Sequence, residues 1–500
     1  MEKLKKIISK IIWIINIPLL LINIILLFGI GWLNNNFGLV SMEEIIFHLN
    51  VPIGGTSKGM ISDFLNKCIF PSVAIFIIFI TLFYFRYKAE TTVSIRIFKI
   101  KREYKLKKIV KKIIIIFNLI LIITQFNSLD KKFQISSYIK NQLTESHFIE
   151  EEYVDASKVN IKFKEKRNLI FIYLESIESN FSNTVVDGQT VNLIPELESI
   201  ALNNTHFSSS KGLGGAKQVS GLGWTIGAMV GYTSGVPLML PINCNSYSGY
   251  DFMPGVYSLG DILKKNGYNQ TLIVGSDSGF AGRKDYFKQH GNYKIKDIYT
   301  ASKDNIIEEG YYEFWGFEDK YLFEYAKSEL VELNKSKNPF NLTLLTVNTH
   351  APDGYIEDTC DSHYNNQYAN AVRCSSKQVS EFLDWIKKQD FYDNTTVIIV
   401  GDHLSMATNE ILDSDNRTVY NAIINSYVKK DVSTREFATI DMFPTTLASI
   451  GAIIEGDKLG LGVNLYSDRK TLIEEYGAKY VDAEIRKKSN FYNNKLLFSK

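Results

Sequence analysis

From Ile11 to Leu33 the chain runs without a charged side chain, a stretch long enough to cross a bilayer as one helix. Hydrocarbon offers no partners for backbone N–H and C=O groups, so such a segment has to close its hydrogen bonds internally, as a helix does. Ile69 to Phe85 is a second apolar run near the lower length limit for a span. A third, Ile113 to Phe126, is short, and reaches spanning length only if Ile109 and Val110 join it while Lys111 and Lys112 extend toward the headgroups. The expected spans are therefore about 11–33, 69–85 and 109–126 within a membrane region of residues 1–126.

Charge orients these spans. Lys3, Lys5, Lys6 and Lys10 precede the first, and Arg86 to Lys112 is crowded with Lys and Arg, whereas Asn34 to Lys67 is mildly acidic. Basic flanks stay cytoplasmic, so three crossings put everything after Phe126 outside. The first run also lacks the small-residue cleavage site of a removable signal peptide. If the third helix only lies in the interface, the remainder stays in the cytoplasm.

Across 500 residues the charged fraction is near average and the net charge is +2, which argues against a nucleic-acid partner. Cys360 and Cys374 enclose a short polar segment, and a bond closing that loop would contribute about 3 kcal/mol by loop entropy in an oxidising compartment. Two free thiols are the other reading. Neither cysteine lies in a C-x-x-C pattern, so zinc ligation is not indicated.

Residues 127–167 read as a juxtamembrane linker. From Asn168 the chain alternates short apolar runs (168–174, 271–274, 341–347, 396–400) with segments of helical spacing (193–202, 258–265, 320–333, 367–388). Apolar strands separated by helices predict an α/β domain at 168–455, a mostly parallel sheet sandwiched by helices. Residues 456–500 form a C-terminal extension without functional signal.

In such sheets ligands gather beyond the carboxyl ends of the strands. Glu175 follows the first predicted strand, His350 the third, and Asp402 and His403 the fourth. Carboxylates and imidazoles together suit a divalent cation such as manganese, magnesium or zinc. Each residue also has a plain structural reading, as a turn cap, a surface pair or a loop anchor. Thr225 lies in G-L-G-W-T-I-G-A-M-V from Gly221, at a glycine-bracketed turn before a predicted helix, where it is either an N-cap or a nucleophile.

L-E-S-I-E from Leu174, G-W-T-I-G-A-M-V from Gly223 and G-D-H-L from Gly401 resemble the metal-site motifs of membrane-anchored phosphoglycerol transferases. These belong to the alkaline-phosphatase and sulfatase superfamily and include lipoteichoic acid synthase and the glucan-modifying enzymes. G-D-I-L-K-K-N-G-Y from Gly260, F-A-G-R-K-D-Y-F-K-Q-H-G from Phe280, W-G-F from Trp315, T-H-A-P-D-G from Thr349 and A-V-R-C from Ala371 extend the likeness in consistent order from Asn168 to Gly451. The resemblance implies that Glu175, Thr225, Asp402 and His403 hold one divalent cation, usually manganese. It implies that Thr225 attacks phosphatidylglycerol and passes glycerophosphate to a hydroxyl of a glycan or glycerophosphate polymer. It further implies that Arg283 contacts the glycerophosphate and that His350 lies beside the same phosphate. Two positions depart from the pattern: Ala281 stands where lipoteichoic acid synthase has tryptophan, and His350-Ala351 replaces a His-His of the glucan enzyme. The expected location is a bacterial inner membrane, with the catalytic domain on its outer side.

A sulfatase nucleophile needs Cys or Ser two residues before Pro and four before Arg, and no such run occurs. A two-metal phosphatase needs a second ligand set, and only one is evident. A phosphoethanolamine transferase shares fold and nucleophile, and a metal-dependent phosphodiesterase or a non-catalytic glycan-binding protein are further alternatives.

Overall fold

The computed structural model describes residues 2–38, 40–51, 58–88, 92–97, 100–209, 211–241, 251–407, 416–429 and 434–499. The chain divides into two compact units, one of Met1–Asn36 with Ser57–Ser136 and the other of Phe37–Thr56 with Ser137–Lys500. Ahead of residue 134 lie α1 (Glu2–Asn36), α2 (Met42–Asn50), α3 (Phe70–Lys88) and α4 (Leu106–Phe133); α2 belongs to the second unit and the others to the first.

Among the described residues of the first unit, three helical stretches are long and apolar enough to cross a membrane: Lys10–Asn36, Lys58–Phe85 and Ile109–Phe133. The second starts before the apolar run at Ile69, because a helical Lys58–Phe64 and a π-turn at Leu65–Ile69 lead directly into α3. The third does take in Ile109 and Val110. It also continues to Phe133, which gives it 25 residues. Between α3 and α4 the basic segment pairs antiparallel, Thr92–Ile97 against Ile100–Lys105.

Amides join α1 to α4. Asn118 donates to the Asn16 side chain at 3.1 Å and to its carbonyl at 3.0 Å, and accepts from Asn23 at 3.0 Å. Gln125 donates to the Asn23 carbonyl at 2.7 Å, and all four residues are buried. Asn16 and Asn23, like Asn118 and Gln125, are two helical turns apart and share a face. Amides facing each other across helices act as glue where apolar contact alone gives little preference. Asn118→Leu is expected to cost roughly 1 kcal/mol, read as a lower unfolding midpoint in detergent; an unchanged midpoint would show that the amides add nothing.

The second unit is built on a seven-stranded sheet. Its strands are β1 (Asn168–Leu174), β2 (Gly215–Ala216), β3 (Asn269–Val274), β4 (Lys294–Lys296), β5 (Phe340–Leu345), β6 (Thr395–Gly401) and β7 (Val419–Ile424), in the order β2-β7-β6-β1-β5-β3-β4. The five from β6 to β4 run parallel, and β7 and β2 close one edge antiparallel. Every residue of β1 is buried. Leu169, Phe171 and Tyr173 face one core and Ile170, Ile172 and Leu174 the other, as a two-sided sheet requires. The principal helices are α5 (Pro195–Leu202), α6 (Thr225–Ser234), α7 (Leu259–Lys265), α8 (Arg283–Gln289), α9 (Asp319–Asn334) and α10 (Gln367–Ile386).

Strand β7 was not anticipated, because Asn421 interrupts its apolar run. That amide is buried and exchanges two 2.8 Å bonds with the Phe207 backbone, a polar group satisfied only by tertiary structure. Of the two readings of the cysteines, the bonded one holds: Cys360 and Cys374 form a disulfide with their Cα atoms 5.7 Å apart. Residues beyond 455 pack onto the unit. Asp482 accepts from the Ser220 N–H at 2.7 Å, and the Tyr492 hydroxyl bridges the Pro237 carbonyl at 2.7 Å and the Met239 N–H at 2.9 Å.

Candidate active site

Three strand ends are sewn together by side chains bonded to backbone. The Asp402 N–H donates to the Leu174 carbonyl at 3.0 Å, and Asp402 Oδ1 accepts from the N–H groups of Ser176 and His403, both at 2.7 Å. Thr346 accepts from the Glu175 N–H at 2.9 Å, and Thr349 donates to the Glu175 carbonyl at 2.5 Å. Ser176 holds a left-handed φ of 56°, a conformation costly for a residue with a Cβ and tolerated where surrounding bonds dictate it.

Ligand-type atoms of Glu175, Asp402 and His403 lie within 4.8 Å of one another, all buried. Nδ1 of His403 lies 2.9 Å from the Leu404 carbonyl, which can only accept, so Nδ1 carries a proton. That leaves Nε2 facing Glu175 and Asp402, 3.5 Å from an oxygen of each. His403 Nε2 and Asp402 Oδ2 are buried without a hydrogen-bond partner among the described residues. Burial pushes Asp402 up to about 7, and Glu175 adds to the rise. For His403, burial opposes charge, but Asp402 and Glu175 outweigh it and raise its pKa. Glu175 is likewise penalised by burial, yet His350, His403 and bonds from Ser176 and Thr225 hold it below its ordinary value. Two converging carboxylates and an imidazole with orphaned buried atoms call for positive charge, and their donor set fits a divalent cation.

Thr225 is not an N-cap. Trp224 occupies that position, with no side-chain cap, and Thr225 opens α6. Its hydroxyl donates instead to Glu175 Oε2 at 3.2 Å. The turn before it depends on glycine at Gly221, whose φ is +84°, and α6 approaches it closely. A Cβ on Gly227 would stand 2.6 Å from the Gly221 carbonyl oxygen and 3.0 Å from the Trp224 ring. Tyr232 donates to the Gly401 carbonyl at 2.8 Å and so ties α6 to the end of β6. Gln218 accepts from the Leu404 N–H at 2.7 Å, linking the approach to Thr225 with the His403 loop.

Arg283 begins α8 and is buried. Its guanidinium donates to Ser276 Oγ at 3.0 Å and the Asp277 carbonyl at 2.7 Å, and Nε donates to the Phe280 carbonyl at 3.2 Å. Burial lowers it to about 10, with Glu175, Asp277 and Asp297 opposing, so it stays cationic at neutral pH. His350 donates from Nδ1 to the Ala351 carbonyl at 2.7 Å, which frees Nε2, and its ring lies 4.4 Å from that of Trp315. Asp319, fully buried, clamps the preceding loop by accepting from the Val347 and Asn348 N–H groups at 2.8 and 3.2 Å.

Residues 167–452 match the sulfatase family model. The chain belongs to the sulfatase family. Among curated relatives, phosphoglycerol transferase I of Citrobacter koseri is 32% identical over 308 residues, 59% of this chain and 38% of that protein. Phosphoglycerol transferase I of Salmonella choleraesuis is 31% identical over 315 residues, 60% and 39% of the two chains. The matched part thus spans about two-fifths of the length of these curated relatives. Among solved structures, lipoteichoic acid synthase LtaP from Listeria monocytogenes aligns at 20% identity and a TM-score of 0.49, over 65% of this chain and 82% of that one. This sulfatase-family chain carries threonine at the head of α6 rather than the sulfatase Cys or Ser run.

Proposed function

We propose that the chain is a cation-dependent phosphoglycerol transferase of the bacterial inner membrane. It moves glycerophosphate from phosphatidylglycerol to a hydroxyl of an extracytoplasmic glycan or glycerophosphate polymer. One observation carries this reading: the Thr225 hydroxyl is bonded to Glu175 within the buried cluster that Asp402 and His403 complete. The similarity to two phosphoglycerol transferases supports glycerophosphate as the group transferred. The helical stretches Lys10–Asn36, Lys58–Phe85 and Ile109–Phe133 cross the membrane, residues 168–455 carry the chemistry and 456–500 extend it. The Cys360–Cys374 bond suits an oxidising compartment outside the cytoplasm.

Glu175, Thr225, Asp402 and His403 hold the cation, manganese first, with magnesium and zinc accepted by the same donors. When bound, it lowers the pKa of the threonine hydroxyl and polarises a phosphoryl oxygen. Thr225 Oγ forms a bond to phosphorus as the bond to the diacylglycerol oxygen breaks. The phosphate sits at the N-terminus of α6, whose first amides point at it, with the Arg283 fork on its oxygens. His350 Nε2 hands a proton to the departing diacylglycerol oxygen. In the second step it takes one from the acceptor hydroxyl, which displaces Thr225.

The test is donor choice. Purified protein with manganese should release diacylglycerol from phosphatidylglycerol at least about tenfold faster than from phosphatidylethanolamine. The opposite ratio would make it a phosphoethanolamine transferase.

A further inference from the structure

Helix α2 lies in sequence between the first two spans, yet it is part of the second unit and is packed against the residues that carry the chemistry. Ser41 caps it by accepting from the Glu44 N–H at 3.1 Å. Glu43, Glu44, Ile46 and Phe47 are buried along one side. Phe47 is fully buried, its ring 5.7 Å from Trp224, the neighbour of Thr225, and 6.4 Å from Phe252. Just ahead of the helix, the Gly38 N–H donates to the Met406 carbonyl at 2.7 Å, three residues beyond His403. The segment is thus fixed both to the loop of the nucleophile and to the loop of a cation ligand.

His48 occupies the remaining edge of this helix. Its half-buried ring stacks on Phe280 at 6.0 Å and 27°. Phe280 in turn meets Trp315 at 5.5 Å, Trp315 meets His350, and the Arg283 guanidinium lies 5.5 Å from the Phe280 ring centre. His48 therefore ends an aromatic row that borders the guanidinium of Arg283 and the ring of His350. Neither of its ring nitrogens is hydrogen-bonded among the described residues. Burial, with His350 adding to it, lowers its pKa to about 4, so at neutral pH the ring is neutral, with one donor and one acceptor. A neutral imidazole is a poor partner for phosphate charge, which Arg283 already serves, and a good one for an alcohol, which both donates and accepts.

We propose that His48, supplied by the segment between the first two spans, contacts substrate directly and recognises hydroxyl groups of the polyol next to the transferred phosphate. This rests on the reading of the site as a phosphoryl-transfer site, and the polyol is either the glycerol of the donor or the acceptor alcohol. The full-length chain in detergent with manganese is titrated with glycerol phosphate and with inorganic phosphate, and glycerol and glucose are then supplied as acceptors. Wild type should hold glycerol phosphate more tightly than phosphate. His48→Ala should lose about three- to tenfold on glycerol phosphate, the value of one neutral hydrogen bond, with phosphate affinity unchanged. His48→Gln, which keeps a donor and an acceptor, should recover most of it. Unchanged phosphate affinity also reports a folded site. A loss seen instead only as a raised KM for the acceptor assigns the acceptor hydroxyl. Equal losses for phosphate and glycerol phosphate, or no loss in either arm, overturn the proposal. The binding arm needs no turnover, so a wild-type chain that cleaves no phosphatidylglycerol defeats the proposed function and leaves the His48 comparison readable.

Discussion

Thr225→Ala should reduce diacylglycerol release from phosphatidylglycerol by at least about 10⁴-fold, the scale on which removal of a covalent nucleophile is felt. The side chain is small and its one hydrogen bond among the described residues is to Glu175. Trp224 supplies the N-cap position of α6, so no capping bond is lost with the hydroxyl. The variant is therefore expected to fold, to unfold within about 0.5 kcal/mol of wild type, and to bind glycerol phosphate. That combination separates loss of chemistry from loss of structure. Thr225→Ser keeps the hydroxyl and should retain measurable turnover. Mass spectrometry of wild type stopped during turnover should find a glycerophosphate mass on the peptide containing Thr225. Full activity in the alanine variant would remove the covalent route, and a phosphoethanolamine adduct would change the donor.

The parts of the fold set by local pattern were legible. The strands ending at Leu174 and Gly401 are continuous apolar runs, and a two-sided sheet brings the residues directly after them, Glu175 and Asp402, to one edge. Their meeting with His403 in a cluster was therefore readable without coordinates. The features that were not legible depend on long-range partners. Asn421 looks like a break in a strand until its amide meets Phe207. The clamp of Asp319 on the loop before His350 reads in sequence as an ordinary acidic residue at a helix start. The largest omission is α2. Its sequence, M-E-E-I-I-F-H-L-N, lies in a stretch that reads as a mildly acidic connection between spans. The packing of Phe47 on Trp224 and the bond from the Gly38 N–H to the Met406 carbonyl show that it belongs with the second unit. A weak signal was present, since a connecting loop has no reason to carry Ile45, Ile46 and Phe47 together with a Ser41 cap.

Asp402→Asn should abolish both cation binding and transfer while leaving the fold intact, and for a reason that fixes the sign of its effect on stability. Oδ1 of Asp402 accepts from the Ser176 and His403 N–H groups, and the amide oxygen of asparagine can take over both bonds. The other oxygen, Oδ2, is buried and has no hydrogen-bond partner among the described residues, and replacing it by NH₂ removes a candidate ligand atom and a negative charge facing Glu175. In chelator, burial and Glu175 raise the Asp402 pKa to about 7. The folded chain then holds a proton that the unfolded chain releases at ordinary carboxylate pH. By linkage, the stability of the chelated wild type falls as pH rises from about 4 through about 7. Asp402→Asn has no such group, so in chelator it should lose less stability than wild type over that window and unfold at a higher temperature near pH 8. Manganese should reverse the order. At a thousandfold excess over Kd it stabilises wild type by roughly 4 kcal/mol, whereas the variant gains little. Thermal unfolding with and without manganese, together with metal content by mass spectrometry, reads both halves. A variant that still takes up one equivalent of manganese and unfolds like wild type would place the cation elsewhere, and with it the activation of Thr225.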